Sequence, residues 1–207
     1  MERVLHTYSL PYNPKRPVLC FDERPCFLIG DVLLPMAMKE GQSKQQDYAY
    51  EKHGSCCVLL AFEPHTGKRW VNVYAQRSAK EYTEFMQFLA AQFPNAEAIT
   101  VVQDNLNTHH PGSFYKHLDP EDAFNLARHF DWLYTPKHAS WLNMAELEFS
   151  ALSRQCLNRR IASHLLLEQE VLAWVKDRNE TTITVTWQVS IERARTKFAR
   201  HYNGVKT

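Results

Sequence analysis

Val18-Leu19-Cys20-Phe21-Asp22 and Ala98-Ile99-Thr100-Val101-Val102-Gln103-Asp104 are the two stretches that decide how this 207-residue chain is read. Each is an unbroken apolar or β-branched run closing on a carboxylate, the pattern of a strand buried on both faces with its acid where the core strand ends. If the two strands are parallel neighbours, Asp22 and Asp104 converge at one edge of a sheet. Two acids in a desolvated place are unfavourable unless a cation neutralises them. Taken singly, Asp22 reads as a strand-end turn residue and Asp104 as an Asx turn with Asn105.

Further along the chain, residues 55–62 and 69–75 are apolar or β-branched runs joined by Glu63-Pro64-His65-Thr66-Gly67-Lys68, a hairpin-like link. Ser78-Ala79-Lys80-Glu81 is a capping box. After it, Tyr82, Phe85, Phe88, Leu89 and Phe93 recur at helical spacing until Pro94 ends the helix. Residues 119–129 predict a short helix, 130–134 a strand, and 140–157 a long helix capped by Ser140. The order β-β-β-α-β-α-β-α predicts an α/β fold with a mixed five-stranded sheet flanked by helices. Its fourth strand follows a helix and should lie parallel to a neighbour.

Residues 165–180 predict another helix, 181–189 are β-branched, and 191–201 read as a basic helix. Pro11, Pro14 and Pro17 predict an extended arm, and Pro25, Pro35, Gly41 and the polar run 41–46 predict an irregular insertion over 24–54. Three parts result: an N-terminal arm over 1–17, a core domain over 18–160, and a basic helical extension over 161–207 packed on it.

Composition sets the outer bounds. With 44% hydrophobic and 12% aromatic residues the chain can build one sizeable core. It carries no apolar stretch near the ~20 residues that span a bilayer and no signal-type apolar segment, so no membrane partner is expected and a cytoplasmic location is. The five cysteines are odd in number and never spaced as CxxC, which argues against a disulfide framework or a zinc finger and for apolar filling. Lys and Arg number 24 against 23 Asp and Glu, a net charge of +1 that does not advertise nucleic acid. The sum conceals a division, because residues 154–207 hold ten Lys/Arg and five Asp/Glu.

A third acid is expected on the helix after Ser140. At 100° per residue Glu146 shares a polar stripe with Asn143, Ser150 and Ser153, whereas Glu148 has Met144, Ala145, Ala151 and Leu152 as its i±3 and i±4 neighbours. Glu146 is therefore the candidate ligand. Glu23 points away from Asp22 across the strand and reads as salt-bridged or solvated. His109 and His110 are adjacent, a poor arrangement for sharing one ion, and read as loop packing or a phosphate contact. Lys137, His138, Trp141 and Asn143 crowd the entry to the Glu146 helix, where they could hold a DNA strand; Trp141 reads equally as core. Arg154, Arg159 and Arg160 follow that helix and either track a phosphate backbone or form a solvated surface.

Three motifs together carry a family resemblance: Arg16-Pro17-Val18-Leu19-Cys20-Phe21-Asp22-Glu23, Asp104-Asn105-Leu106-Asn107-Thr108-His109, and Tyr134-Thr135-Pro136-Lys137-His138-Ala139-Ser140-Trp141-Leu142-Asn143-Met144-Ala145-Glu146. They resemble the DDE catalytic domain of bacterial transposases of the insertion sequence 630 family, relatives of the mariner group. The resemblance implies a ribonuclease-H-like fold and a triad of Asp22, Asp104 and Glu146 that holds two divalent ions, Mg²⁺ or Mn²⁺, for cleavage at transposon ends and strand transfer into target DNA. It implies double-stranded DNA as partner, a homodimer in the DNA complex, and a bacterial, nucleoid-associated location when bound. Such transposases carry helix-turn-helix modules ahead of the catalytic domain, so a partner polypeptide supplying them is expected. The alternatives are an inactive, trans-complemented DNA-binding subunit or a structure-selective nuclease of the same fold.

Overall fold

The computed structural model describes residues 1–33, 48–137 and 139–200. A single five-stranded sheet organises it, built from β1 (Val18–Asp31), β2 (Tyr50–Glu63), β3 (Lys68–Tyr74), β4 (Ile99–Gln103) and β5 (Phe130–Tyr134) in the order β3-β2-β1-β4-β5. The first three strands form an antiparallel meander, and β4 and β5 run parallel to β1. Helices α1 (Glu2–Ser9), α2 (Ala79–Gln92), α3 (Pro120–Ala127), α4 (Ala145–Gln155), α5 (His164–Glu180) and α6 (Ile191–Lys197) surround it. Short 3₁₀ turns lie at Pro111–Lys116 and Ser140–Leu142.

Alternation along β1 divides the core. Cys20 faces the layer of Val4, Leu5, Phe149, Leu152, Val171 and Val175, whereas Leu19 and Phe21 face Tyr82, Phe85, Leu89 and Ala123 on the other side. Burial on both faces is what makes these strands read as continuous apolar runs. All five cysteines are free, four of them buried, as their role of apolar filling requires.

Several sequence expectations are corrected. Residues 2–9 are a helix and not part of an extended arm; Val4 and Leu5 are buried, and only the proline-bearing segment after Ser9 lacks regular structure. The supposed insertion from residue 24 is largely strand, because β1 continues to Asp31 paired with β2 from Tyr50 onward. Pro25 is tolerated there because the ladder to β4 ends at Cys20, leaving that edge of β1 without a partner that needs its missing N–H. Residues 34–47, including Pro35, Gly41 and the polar run, lie outside the described residues. Ser140 does not cap α4; it begins a 3₁₀ turn, and α4 starts at Ala145, whose N–H donates to Asn143 Oδ1 at 3.2 Å. Ser78 does cap α2, accepting from the Lys80 N–H at 3.2 Å, but the Glu81 carboxylate accepts from the Ser78 hydroxyl.

One buried ion cluster ties the layers together. Glu148 receives Arg69 Nε at 2.5 Å and Nη2 at 2.9 Å, and Arg178 Nε at 3.0 Å and Nη2 at 3.1 Å. Arg69 also donates to the carbonyls of Gly67 and, at 2.7 Å, Ile183, so β3, α4, α5 and the segment after α5 meet at one carboxylate. Gly67 is required twice: its φ is +69°, and a Cβ would stand 2.8 Å from the Ile183 oxygen. Removing one partner from such a cluster leaves buried charge uncompensated. We expect Glu148→Ala to cost about 3–5 kcal/mol in urea unfolding, and Glu146→Ala to stay within about 0.5 kcal/mol. Equal losses for the two would contradict this division.

Candidate active site

The parallel pairing of β1 with β4 aligns Val18 with Thr100, Leu19 with Val101 and Cys20 with Val102. Asp22 and Asp104 each follow that last pair by two residues, Asp22 within β1 and Asp104 directly after β4, and the two carboxylates are close enough to interact electrostatically. The third acid arrives by a different device. Asn143 is buried, and its Nδ2 donates to the Phe21 carbonyl at 2.8 Å while its Oδ1 receives the Ala145 N–H. One amide thus docks the start of α4 on β1 immediately before Asp22 and places Glu146 in the first turn of that helix. Behind the same turn, the Tyr8 hydroxyl donates to the Leu142 carbonyl at 2.7 Å and lies 3.2 Å from Cys20 Sγ.

The three acids act on one another electrostatically. Asp22 is largely desolvated, which raises its proton affinity. A hydrogen bond from the Glu23 N–H (2.8 Å) opposes this, the charges of Glu146 and Asp104 add to it, and the carboxyl is pushed up to about 7. Asp104 is held below the usual carboxylate range, chiefly by the hydrogen bond from His109 Nδ1 at 2.6 Å. Glu146 is exposed, whereas Glu148 is consumed by Arg69 and Arg178.

Among the described residues, no three His, Cys, Asp or Glu side chains are gathered closely enough to hold a metal ion as they stand. Asp104 is turned onto His109, and Glu146 lies in solvent. The donor set nevertheless suits a hard divalent ion, since it consists of carboxylate oxygens whose like charges already strain the protonation of Asp22.

His109 is the participant that sequence reasoning placed only in packing or at a phosphate. It is fully buried, stacks on Tyr82 (5.0 Å, 25°), meets Phe21 edge-on (5.1 Å) and bridges two carboxylates, with Glu23 Oε2 3.3 Å from Nε2. Burial opposes its charge, but Asp104 and Glu23 outweigh burial and push the imidazole above its ordinary range. Glu23 is also ion-paired with Arg77, as its position on the opposite strand face suggested. The spacing of four residues between Asp104 and His109 was the available signal.

The expected DNA-facing residues separate into groups. Lys137 is exposed, and His138 lies outside the described residues. Trp141 is 39% exposed yet stacks on Trp187 (6.2 Å, 10°) and Phe198 (5.6 Å, 25°), so the C-terminal segment covers part of it. Asn143 faces inward and is unavailable to DNA, a correction whose cause is its hydrogen bond to Phe21. Arg154 is exposed, bonded to Ser150 Oγ, and lines an open cleft with Arg159, which pairs with Glu170. Arg160 is also corrected: its guanidinium is taken up by Asp31 (2.6 Å) and the Ala49 carbonyl (2.9 Å) and lies over Tyr50, which fastens the β1–β2 hairpin.

A mixed sheet in this order, with Asp22 inside β1 where its ladder to β4 has ended and Asp104 directly after β4, defines a ribonuclease-H-like fold; the sequence expectation that Asp22 closes its strand is corrected, because β1 runs on to Asp31 paired with β2. Comparison with known families agrees: the chain belongs to the DDE superfamily endonucleases, whose family model matches residues 17–166. The fold is similar to that of the Mos1 mariner paired-end complex with Mn (TM-score 0.56, 13% identity, 84% of this chain and 52% of that one). It is also similar to the Mos1 strand transfer complex (TM-score 0.57, 11% identity, 87% and 53%) and to the paired-end complex with Mg (TM-score 0.53, 14% identity, 86% and 53%). The chain spans about half the length of these structures. A search of curated sequences gives no match.

The position of Asp22 sets a pH dependence. Because the folded carboxyl titrates near 7, above its unfolded value, its contribution to stability is full below about pH 4 and is lost as pH rises to about 7. In metal-free protein we expect wild type to lose more stability than Asp22→Asn between pH 5 and pH 8, read by urea unfolding. Identical pH slopes would contradict the assignment.

Proposed function

We propose that this chain is the catalytic part of a transposase, cutting DNA at transposon ends and joining the freed end to target DNA. The observation that supports this most directly is the electrostatic coupling of Asp22, Asp104 and Glu146 in a chain of the DDE family. Residues 18–160 form the catalytic domain in this reading, with 161–207 as a basic extension. Double-stranded DNA is the substrate, engaged by a homodimer, and helix-turn-helix modules on another polypeptide supply recognition of the ends.

Asp22, Asp104 and Glu146 would hold two Mg²⁺ or Mn²⁺ ions. When bound, such ions supply positive charge to the attacking and leaving oxygens of a displacement at phosphorus. In the first step a water oxygen forms a bond to phosphorus, the bond to the 3′ oxygen breaks, and that oxygen gains a proton. In the second step the new 3′-hydroxyl loses its proton and attacks a target phosphodiester, releasing a target 3′-hydroxyl. One phosphodiester replaces another, so no nucleotide cofactor is needed. The chain's own contribution is orientation: Asn143 fixes the helix carrying Glu146 against β1, and Lys137 with Arg154 presents positive charge to phosphates.

The test is strand transfer of pre-cleaved element-end duplexes into plasmid in Mn²⁺. We expect Asp22→Asn, Asp104→Asn and Glu146→Gln each to reduce product by at least about 100-fold, and Lys137→Ala to weaken DNA binding more at low salt than at high salt, with a shallower salt dependence than wild type. Product yields equal to wild type in Asp104→Asn would show that the reaction lies elsewhere.

A further inference from the structure

We propose that His109 is a positioning residue that fixes the Asp104 carboxylate for metal binding through a relay running Asp104, His109, Glu23 and Arg77. This rests on the reading of Asp22, Asp104 and Glu146 as the metal-holding acids and adds to it the element that orients one of them.

Asp104 needs such an element. It follows the last residue of β4, its side chain is about half exposed, and the ladder to β5 no longer holds it. A carboxylate in that position rotates freely unless something holds one oxygen. His109 Nδ1 takes Oδ1 at 2.6 Å, and the Leu106 backbone adds a hydrogen bond to the same carboxylate. Ligating carboxylates are commonly held in this way by an outer partner that sets their angle and charge.

His109 is itself over-determined, which separates it from a loop histidine that merely packs. Its N–H donates to the Leu106 carbonyl at 2.8 Å, and its carbonyl receives Gln103 Nε2 at 2.6 Å and the Tyr134 hydroxyl at 3.3 Å. Gln103 is held in turn by the Tyr82 hydroxyl at 3.0 Å. The ring cannot tilt, being stacked on Tyr82 and edge-on to Phe21. Its Nε2 is buried without a hydrogen bond in line, 3.3 Å from Glu23 Oε2, and the Arg77 ion pair balances the second carboxylate. Glu23 is the residue next to Asp22 on β1, so the relay connects the segment after β4 that carries Asp104 to the strand that carries Asp22. A ring required only for packing would be served by phenylalanine, which offers no donor to Asp104.

The experiment titrates the protein with Mn²⁺ and follows the free-ion EPR signal in wild type, Asp104→Asn, His109→Phe, His109→Asn and Glu23→Gln, with thermal unfolding as a check on each fold. His109→Phe keeps the aromatic stack and removes the donor; we expect its Mn²⁺ affinity to fall about 10–100-fold. His109→Asn, whose amide can still donate, should recover most of that loss, and Glu23→Gln should fall between wild type and His109→Phe. A folded His109→Phe with wild-type affinity, beside an Asp104→Asn that has lost binding, overturns the positioning role alone. Wild-type affinity in both overturns the metal-site reading and this inference with it. Strand transfer provides the second readout, on which His109→Asn should exceed His109→Phe by at least about 10-fold at saturating Mn²⁺.

Discussion

Everything at this site depends on one constraint, the forced proximity of like charges just past the end of the β1–β4 ladder, where β4 stops and β1 runs on beside β2. The parallel ladder brings Asp22 and Asp104 close enough to interact electrostatically, and the hydrophobic layers on both faces deprive Asp22 of water. Glu146 then arrives on a helix docked by a single buried amide. A protein gains nothing in stability by this arrangement, since desolvated carboxylates repel one another and raise their own proton affinity. The fold is held elsewhere, by two apolar layers and by the Glu148 cluster, and it is those that carry the cost of an unfavourable edge.

Helix α4 shows how closely the two tasks are packed. Glu146 and Glu148 are two residues apart on one helix, so they face opposite ways. One is exposed toward the acids, and the other is buried between two arginines. The near-neutral composition has a similar internal division. Arginines that raise the positive count of the C-terminal part are partly spent inside the fold, Arg178 on Glu148 and Arg160 on the hairpin, while Arg154 remains exposed with Lys137. Counting charges along the sequence therefore overstates the cations available to a phosphate backbone.

The sheet was legible because buried strands and the α2 helix carry strong local patterns: Val18 to Phe21, residues 98–102 and the Tyr82–Phe85–Leu89 stripe needed no tertiary information. The exposure of Glu146 and the burial of Glu148 followed from their neighbours on the helix. What was not legible required partners distant in sequence. Helix α1 buries only Val4 and Leu5, too few for a period to show, and the continuation of β1 past Pro25 depends on β4 having already stopped. Asn143 looked like a surface donor because its acceptor, the Phe21 carbonyl, lies 122 residues away. The same distance problem hid the bridging role of His109, which needs Glu23 from β1 as well as Asp104.

The central claim is that Asp22 and Asp104 are brought together to share divalent cations. Anomalous diffraction from a Mn²⁺-soaked crystal tests it directly. The account predicts a Mn²⁺ peak bridged by the Asp22 and Asp104 carboxylates with Glu146 turned toward it, and no peak at Glu148. A soaked crystal with no Mn²⁺ at Asp22 and Asp104, or with the ion bound at Glu148, would contradict it.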